Sequence, residues 1–138
     1  MSGYSQWPLQ QGIYSALIND AALTALLPNG ANDIYNQPSA DTAMPYCLFR
    51  MGGAKRIGTK QDDALMVTVI TEIYSDKNSD QELNKIAAAV VTALDKAVLT
   101  ASGYNVIDCR FAQENRNTID GGRYRRSVQN FFIIIEPV

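Results

Sequence analysis

The chain has 138 residues, of which 46% are hydrophobic and 19% charged, and its 12 Lys and Arg nearly balance its 14 Asp and Glu. These values are typical of one globular domain and exclude wholesale disorder and a strongly basic nucleic-acid-binding domain. Because the chain contains no histidine, Ser-His-Asp and Cys-His nucleophile systems and histidine zinc sites are excluded as well. We expect a single domain over residues 1–138, with no enzymatic activity, no metal and no cofactor.

Two further sequence features concern the cell compartment. The longest apolar run, residues 86–91, is much shorter than the roughly 20 residues of a membrane-spanning helix, so no membrane segment is expected. The first residues lack the basic start and apolar stretch of a signal peptide. We therefore interpret Cys47 and Cys109 as reduced, buried thiols.

The N-terminal part is expected to be helical. Leu9, Ile13 and Leu17 recur at helical spacing. Gly12 interrupts this pattern and weakens the helix by about 1 kcal/mol relative to alanine. A break at Asn19-Asp20 predicts a new helix start, followed by a second short helix over residues 21–27.

The middle of the chain is expected to be extended. A polar loop runs to about residue 44, and Pro45 then introduces a strand over residues 46–51, which Gly52-Gly53 ends. Residues 54–63 are charged and predict a solvated, mobile loop. The next strand, residues 64–74, is apolar on both faces, which suits the middle of a sheet or an oligomer interface.

The last part of the chain predicts a helix and a hairpin. Ser79 and Glu82 have the spacing of a capping box, and apolar residues at helical spacing continue to Val98. Strands are expected over residues 106–115 and 124–136, with a hairpin turn at Asp120-Gly121-Gly122 between them. The last strand is again apolar on both faces, which suggests self-association.

These elements predict an α+β fold. We expect an antiparallel four-stranded sheet with helices packed on one face, in the order α-β-β-α-β-β.

Three segments could be read as a phosphate-binding, metal-binding or catalytic site, but each matches its motif only in part. Residues 53–60 resemble a phosphate-binding loop, but Thr59 precedes Lys60 and the segment links two strands. Asp62-Asp63 lacks further oxygen ligands at a recognisable spacing for a divalent cation. Glu72 has no second acid at a spacing that indicates acid–base catalysis. The ordinary alternatives, a flexible loop and solvated charges, are favoured.

Basic residues are the candidates for a protein interface. They are Lys55, Arg56 and Lys60 in the first charged loop, and Arg116, Arg123, Arg125 and Arg126 around the second hairpin. Strand alternation places Arg123 and Arg125 on one face and Arg126 on the other. We expect both segments to be mobile until a partner orders them. The alternative is a solvated hairpin with cross-strand pairs to Asp108, Glu114 and Asp120.

The order of these features resembles a known family, the small tail-terminator or tail-completion proteins of long-tailed bacteriophages and related gene-transfer particles. The resemblance in the first half consists of the helix ending in residues 22–27, Ile34-Tyr35, Pro45-Tyr46 before a strand, and Ile73-Tyr74-Ser75. In the second half it consists of Ile86, Val90 and Leu94 on a helix, Arg110, Asp120-Gly121, Tyr124-Arg125, and a final apolar strand ending in Glu136. Gly52-Gly53 and the long loop before Asp63 depart from the pattern.

The resemblance implies a structural virion protein. Such proteins form a ring, usually a hexamer, at the head-proximal end of the tail, after assembly in the host cytoplasm. Implied partners are further copies of the chain, the tail tube protein and a head-completion or neck protein, and DNA passes through the lumen without sequence-specific binding. The alternatives are a head-completion or neck adaptor protein of the same particle and a small non-viral α+β ligand-binding module.

Overall fold

A computed structural model describes residues 4–36, 43–58, 63–77 and 79–138, and it confirms the α+β class. The elements are α1 (Trp7–Ile18), α2 (Ala21–Ala25), a 3-10 helix (Gly30–Asp33), β1 (Ile34–Tyr35), β2 (Tyr46–Arg56), β3 (Leu65–Ser75), α3 (Gln81–Leu94), β4 (Tyr104–Ile119) and β5 (Tyr124–Pro137). No helix in these ranges is long and apolar enough to span a bilayer.

The five strands form one mixed sheet in the order β1-β2-β3-β5-β4. The prediction of four antiparallel strands in the order α-β-β-α-β-β was wrong, because Ile34 and Tyr35 form an additional strand that pairs in parallel with Cys47 and Leu48. A two-residue strand is too short to show the alternation by which strands are recognised. The other pairs are antiparallel, and β3 lies in the middle of the sheet.

One face of the sheet and the helices enclose the core. Alternate residues of β3 and β5 point to this face, as the two-residue period of a strand requires. Helices α1 and α3 contribute apolar residues at the predicted helical spacing. The buried side chains include Leu9, Ile13, Leu17, Val67, Val69, Ile73, Leu83, Ile86, Val90, Phe131, Ile133 and Ile135. Burial stabilises the fold by roughly 1.5–3 kcal/mol for each large aliphatic side chain.

Helix α3 is shorter than predicted. It ends at Leu94, and Val98 is 99% exposed. The chain leaves the helix because the Asp95 carboxylate accepts the N–H of Phe111, 2.8 Å away, while Lys96 takes a positive φ of 62°. The predicted capping box is also absent, since the Glu82 carboxylate accepts the Ser75 hydroxyl at 2.7 Å instead.

Gly12 is required by a close approach between α1 and the segment before β4. A Cβ atom at this position would lie 2.4 Å from the carbonyl oxygen of Thr100. The break after α1 is confirmed, because Asp20 caps α2 by accepting the N–H of Leu23 at 2.9 Å.

Strand β2 continues through Gly52-Gly53 instead of ending there. The pairing with β3 is irregular between Met51 and Ala54 and then resumes as far as Arg56. Two glycines fit such an irregularity, because a bulge needs backbone freedom and space. The loop predicted over residues 54–63 therefore begins later, and its residues 59–62 lie outside the described residues.

The β4–β5 hairpin is longer than predicted. Its turn is confirmed at Asp120, Gly121 and Gly122, which have positive φ angles of 53°, 66° and 89°. Because the strands extend to Ile119 and from Tyr124, most of the hairpin arginines lie within strands, where their side-chain directions are fixed.

Candidate protein-interaction surfaces

The first predicted basic group lies at the end of β2. Lys55 and Arg56 are exposed strand residues that pair with Met66 and Leu65 of β3. The Arg56 guanidinium lies 3.0 Å from the Asp63 carboxylate. Lys60 and Asp62 lie outside the described residues.

The second predicted group is held by contacts within the chain. Each of its arginines lies close to a carboxylate, in the pairs Arg116–Glu114 at 3.1 Å, Arg123–Asp120 at 3.4 Å, Arg125–Asp80 at 3.2 Å and Arg126–Glu72 at 3.6 Å. The guanidinium of Arg125 also donates to the carbonyl of Lys77, and that of Arg116 donates to Asn84 of α3. The hairpin therefore has several polar contacts with its own domain, and its ordering by a partner stays a prediction.

These ion pairs differ from the predicted cross-strand pairs. Asp108 and Glu114 bind Arg110 and Arg116 two positions along the same strand, and Asp120 binds Arg123 within the turn. Such partly exposed pairs contribute about 0.2–1 kcal/mol each. Their main effect is that β4 carries no uncompensated charge.

At the beginning of β5, side chains on the two faces of the strand have different ion-pair partners. Arg125 lies on the helix side with Asp80, whereas Arg126 lies on the opposite side with Glu72, as strand alternation predicts. The prediction that Arg123 lies on the same strand face as Arg125 does not apply, because β5 begins at Tyr124 and Arg123 belongs to the turn. The Arg123 guanidinium lies over the Tyr124 ring, 5.6 Å from its centroid.

Glu72 is the centre of a cluster on the sheet face opposite the helices. It is 8% exposed, its Oε2 lies 3.1 Å from the Arg50 guanidinium, and its Oε1 accepts the Tyr74 hydroxyl at 3.0 Å. Arg126 lies on its other side. Two cations around one carboxylate satisfy a group that would be costly to bury alone, so Glu72 is explained as a structural residue.

A second polar cluster lies between α3 and the sheet. Gln129, fully buried, accepts the Thr71 hydroxyl at 2.9 Å and donates to the Ala87 carbonyl of α3 at 3.0 Å. The Glu114 carboxylate accepts the Ser127 hydroxyl at 2.7 Å. This cluster fixes α3 on the hairpin, and its signal in the sequence is a glutamine in register with the core-facing residues Phe131 and Ile133 of the last strand.

Burial and hydrogen bonding act in opposite directions on Glu114. Burial raises the pKa of this carboxyl, but the hydrogen bonds from Ser127 and Arg116 outweigh it, so the pKa lies below its ordinary value. Burial alone raises the pKa of the Cys47 thiol to about 12, and burial with the nearby carboxylates of Asp95 and Asp108 does the same for Cys109. Both thiols are free and buried, as predicted.

An uncharged aromatic surface lies along α1 beside β1. Trp7 is 59% exposed and Tyr14 41% exposed. They border a groove of about 330 Å³ that also contains Tyr35 and Phe49. No charged residue occurs between positions 4 and 19. We call this the α1 aromatic surface; its signal in the sequence is an amphipathic helix without charged residues.

A second groove lies at the opposite edge of the sheet, between α3 and β4. It has a volume of about 380 Å³ and is lined by Ala88, Val91, Thr92 and Phe111, with Glu114 and Arg116 at one end. We call it the α3–β4 groove. Across the described ranges, no group of three or more Cys, Asp and Glu residues is placed to hold a metal ion.

Comparison with known proteins relates the chain to a family and to solved structures. The family model described as "Tail completion protein gp17" matches residues 11–136. A chain in the structure entitled "Virion of native gene transfer agent (GTA) particle" has a similar fold, with a TM-score of 0.81 and 22% sequence identity over 97% of this chain and 99% of that chain. No curated protein sequence matches.

Proposed function

Because the chain belongs to the tail completion protein gp17 family, we propose that it is a tail terminator of a long-tailed bacteriophage or related gene-transfer particle. In this role, copies of the chain form a ring, six in number by the family resemblance, on the head-proximal end of the tail tube. The ring stops polymerisation of the tube and joins it to the head or neck proteins. The protein is thus a virion component that assembles in the host cytoplasm.

The observation that carries this proposal is the family match over residues 11–136, almost the whole chain. The fold supports it, since the similar chain in the gene transfer agent virion spans nearly the same length.

The polar clusters support a structural role over a catalytic one. Glu72 is neutralised by two arginines, and Glu114 is held by Arg116 and Ser127. A general acid or base needs a pKa near the working pH and access to a substrate. The pKa of Glu114 is instead displaced downward, which makes it a poor proton acceptor near neutral pH.

The charge arrangement is compatible with DNA passing through a ring. Lys and Arg that contact phosphates hold DNA by releasing counterions. Here the hairpin arginines have intramolecular carboxylate partners, as does Arg110, bound to Asp108 at 2.9 Å. Where these arginines meet DNA, their pairing with carboxylates weakens their binding to phosphates. DNA can then slide past without its sequence being read.

The basic residues at the end of β2 are proposed to contact another protein. Lys55 forms no ion pair within the part of the chain that the structure describes, and the Arg56–Asp63 pair is exposed. Both side chains are available for acidic groups of the tube or of a neighbouring copy. With Lys60, they form a group whose removal tests this contact.

The experiment is a tube-length assay with the purified tail tube protein of the same particle. We expect the protein to bind tube ends and to reduce the mean length of tubes that polymerise in its presence. A matched sample with the purified head connector tests the alternative of a neck adaptor. Binding to the connector with no effect on tube length would contradict the terminator proposal.

A further inference from the structure

We propose that neighbouring copies of the chain join head to tail, with Trp7 of one copy seated in the α3–β4 groove of the next. The inference rests on the proposed function, because it names the contact through which copies of the chain would close a ring.

The α1 aromatic surface supplies the inserted side chain. Trp7 is the single tryptophan of the chain, it lies at the start of α1, and it is 59% exposed. Tyr14 lies two turns further along, and its ring stacks on Phe49 at 6.2 Å, so it adds a fixed aromatic wall. Tryptophan and tyrosine are the residues most enriched among side chains that dominate binding energy at interfaces.

The α3–β4 groove supplies the receiving surface. Its apolar wall comes from Ala88 and Val91 of α3 and from Phe111 of β4, which is 37% exposed and packs edge-to-face on Phe131 at 5.7 Å. The volume of about 380 Å³ falls within the range of pockets that enclose compact ligands, about 300–1,000 Å³. The packing of Phe111 on the buried Phe131 keeps this wall in place.

Charge matching favours contact between these two surfaces. The α1 aromatic surface has no charged residue, and the charges at the groove end, Glu114 and Arg116, neutralise each other at 3.1 Å. The main electrostatic penalty of an interface is the burial of an unpaired charge. Contact between these two neutral surfaces buries no such charge. A strongly acidic or basic partner would find no counter-charge on either surface.

The positions of the surfaces select a second copy as the occupant. Strands β1 and β4 are the two edges of the sheet, separated by four strand spacings, roughly 19 Å. A contact between different surfaces on opposite sides repeats from copy to copy and closes into a ring when the rotation allows. A foreign partner on one edge would leave the other apolar edge in water, whereas a second copy covers both.

The test is disulfide trapping between singly substituted full-length chains. Gln11→Cys lies one helical turn from Trp7, and Ala88→Cys lies in the groove. Lys85→Cys, also exposed on α3 but lining a different groove, is the matched control. Cys47 and Cys109 do not interfere, because both are buried.

We expect an equimolar mixture of Gln11→Cys and Ala88→Cys chains to form a mixed disulfide at least tenfold more than the mixture with Lys85→Cys. Neither variant alone should form a disulfide-linked dimer, because the proposed contact joins two different surfaces. Adding Trp7→Ser to the Gln11→Cys chain should lower the yield at least tenfold, and Trp7 emission should shift to shorter wavelength as unmodified protein associates.

Absence of the mixed disulfide, equal yield with Lys85→Cys, or efficient pairing of Gln11→Cys with itself would each overturn this interface. A virion ring observed without the mixed disulfide would overturn the interface alone. A particle without the ring would instead overturn the proposed function.

Discussion

Replacing Gly12 with alanine should destabilise the protein although alanine is the better helix former. The new Cβ would lie 2.4 Å from the Thr100 carbonyl oxygen, a backbone atom that no side-chain rotation can move away. Relief requires α1 or the segment before β4 to shift, and such overpacking costs about 1–3 kcal/mol. The gain in helix propensity offsets about 1 kcal/mol of this. Since the contact is so short, we expect a net loss of about 1–2 kcal/mol in unfolding free energy.

The assay is thermal and urea unfolding followed by circular dichroism. At roughly 4 °C per kcal/mol for a domain of this size, Gly12→Ala should melt about 4–8 °C below the unmodified protein. Gly53→Ala is the matched control, because its Cβ would meet no atom within 4 Å, and its change should stay within about 0.5 kcal/mol. A Gly12→Ala protein as stable as the unmodified one, or more stable, would refute the close approach of α1 to Thr100.

Three further outcomes are expected. Because folding lowers the pKa of Glu114, its contribution to stability should be complete above the ordinary carboxyl pKa of 4.5 and lost as the pH falls through the lowered pKa. Urea unfolding should therefore show that the destabilisation caused by Glu114→Gln shrinks as the pH falls below 4.5. A maleimide at pH 8 should label Cys47 and Cys109 only after unfolding, since burial raises both pKa values to about 12, and rapid labelling of folded protein would contradict their burial. Serine at the three basic positions of residues 55–60 should leave the melting temperature nearly unchanged but reduce tube binding, and unimpaired binding would identify the loop as a connector only.

The strands and helices with strong periodicity could be predicted from the sequence. The apolar runs of β3 and β5 and the apolar stripe of α3 are local patterns that the core uses directly. Strand β1 could not be predicted, because its two residues form a strand only through pairing with β2. The partner of Glu82 could not be predicted either. The sequence indicated a local capping box with Ser79, but the Glu82 carboxylate accepts a hydrogen bond from Ser75 at the end of β3.

The interaction surfaces were predictable only in part. The arginine cluster and three of its acidic partners, Asp108, Glu114 and Asp120, were visible in the sequence. The other two partners were not, since Asp80 and Glu72 approach Arg125 and Arg126 only through the fold. The uncharged character of α1 was visible in the sequence, but the exposure of Trp7 was not, because tryptophan is highly buried on average.

The most direct test of the proposed function is cryo-electron microscopy of the intact particle that encodes this chain. We expect a closed ring of this protein between the head-proximal end of the tail tube and the neck, with each copy contacting the next through two different surfaces. Particles whose tail tube ends directly on another protein, with this chain elsewhere in the virion or missing from it, would contradict the proposed role as a tail terminator.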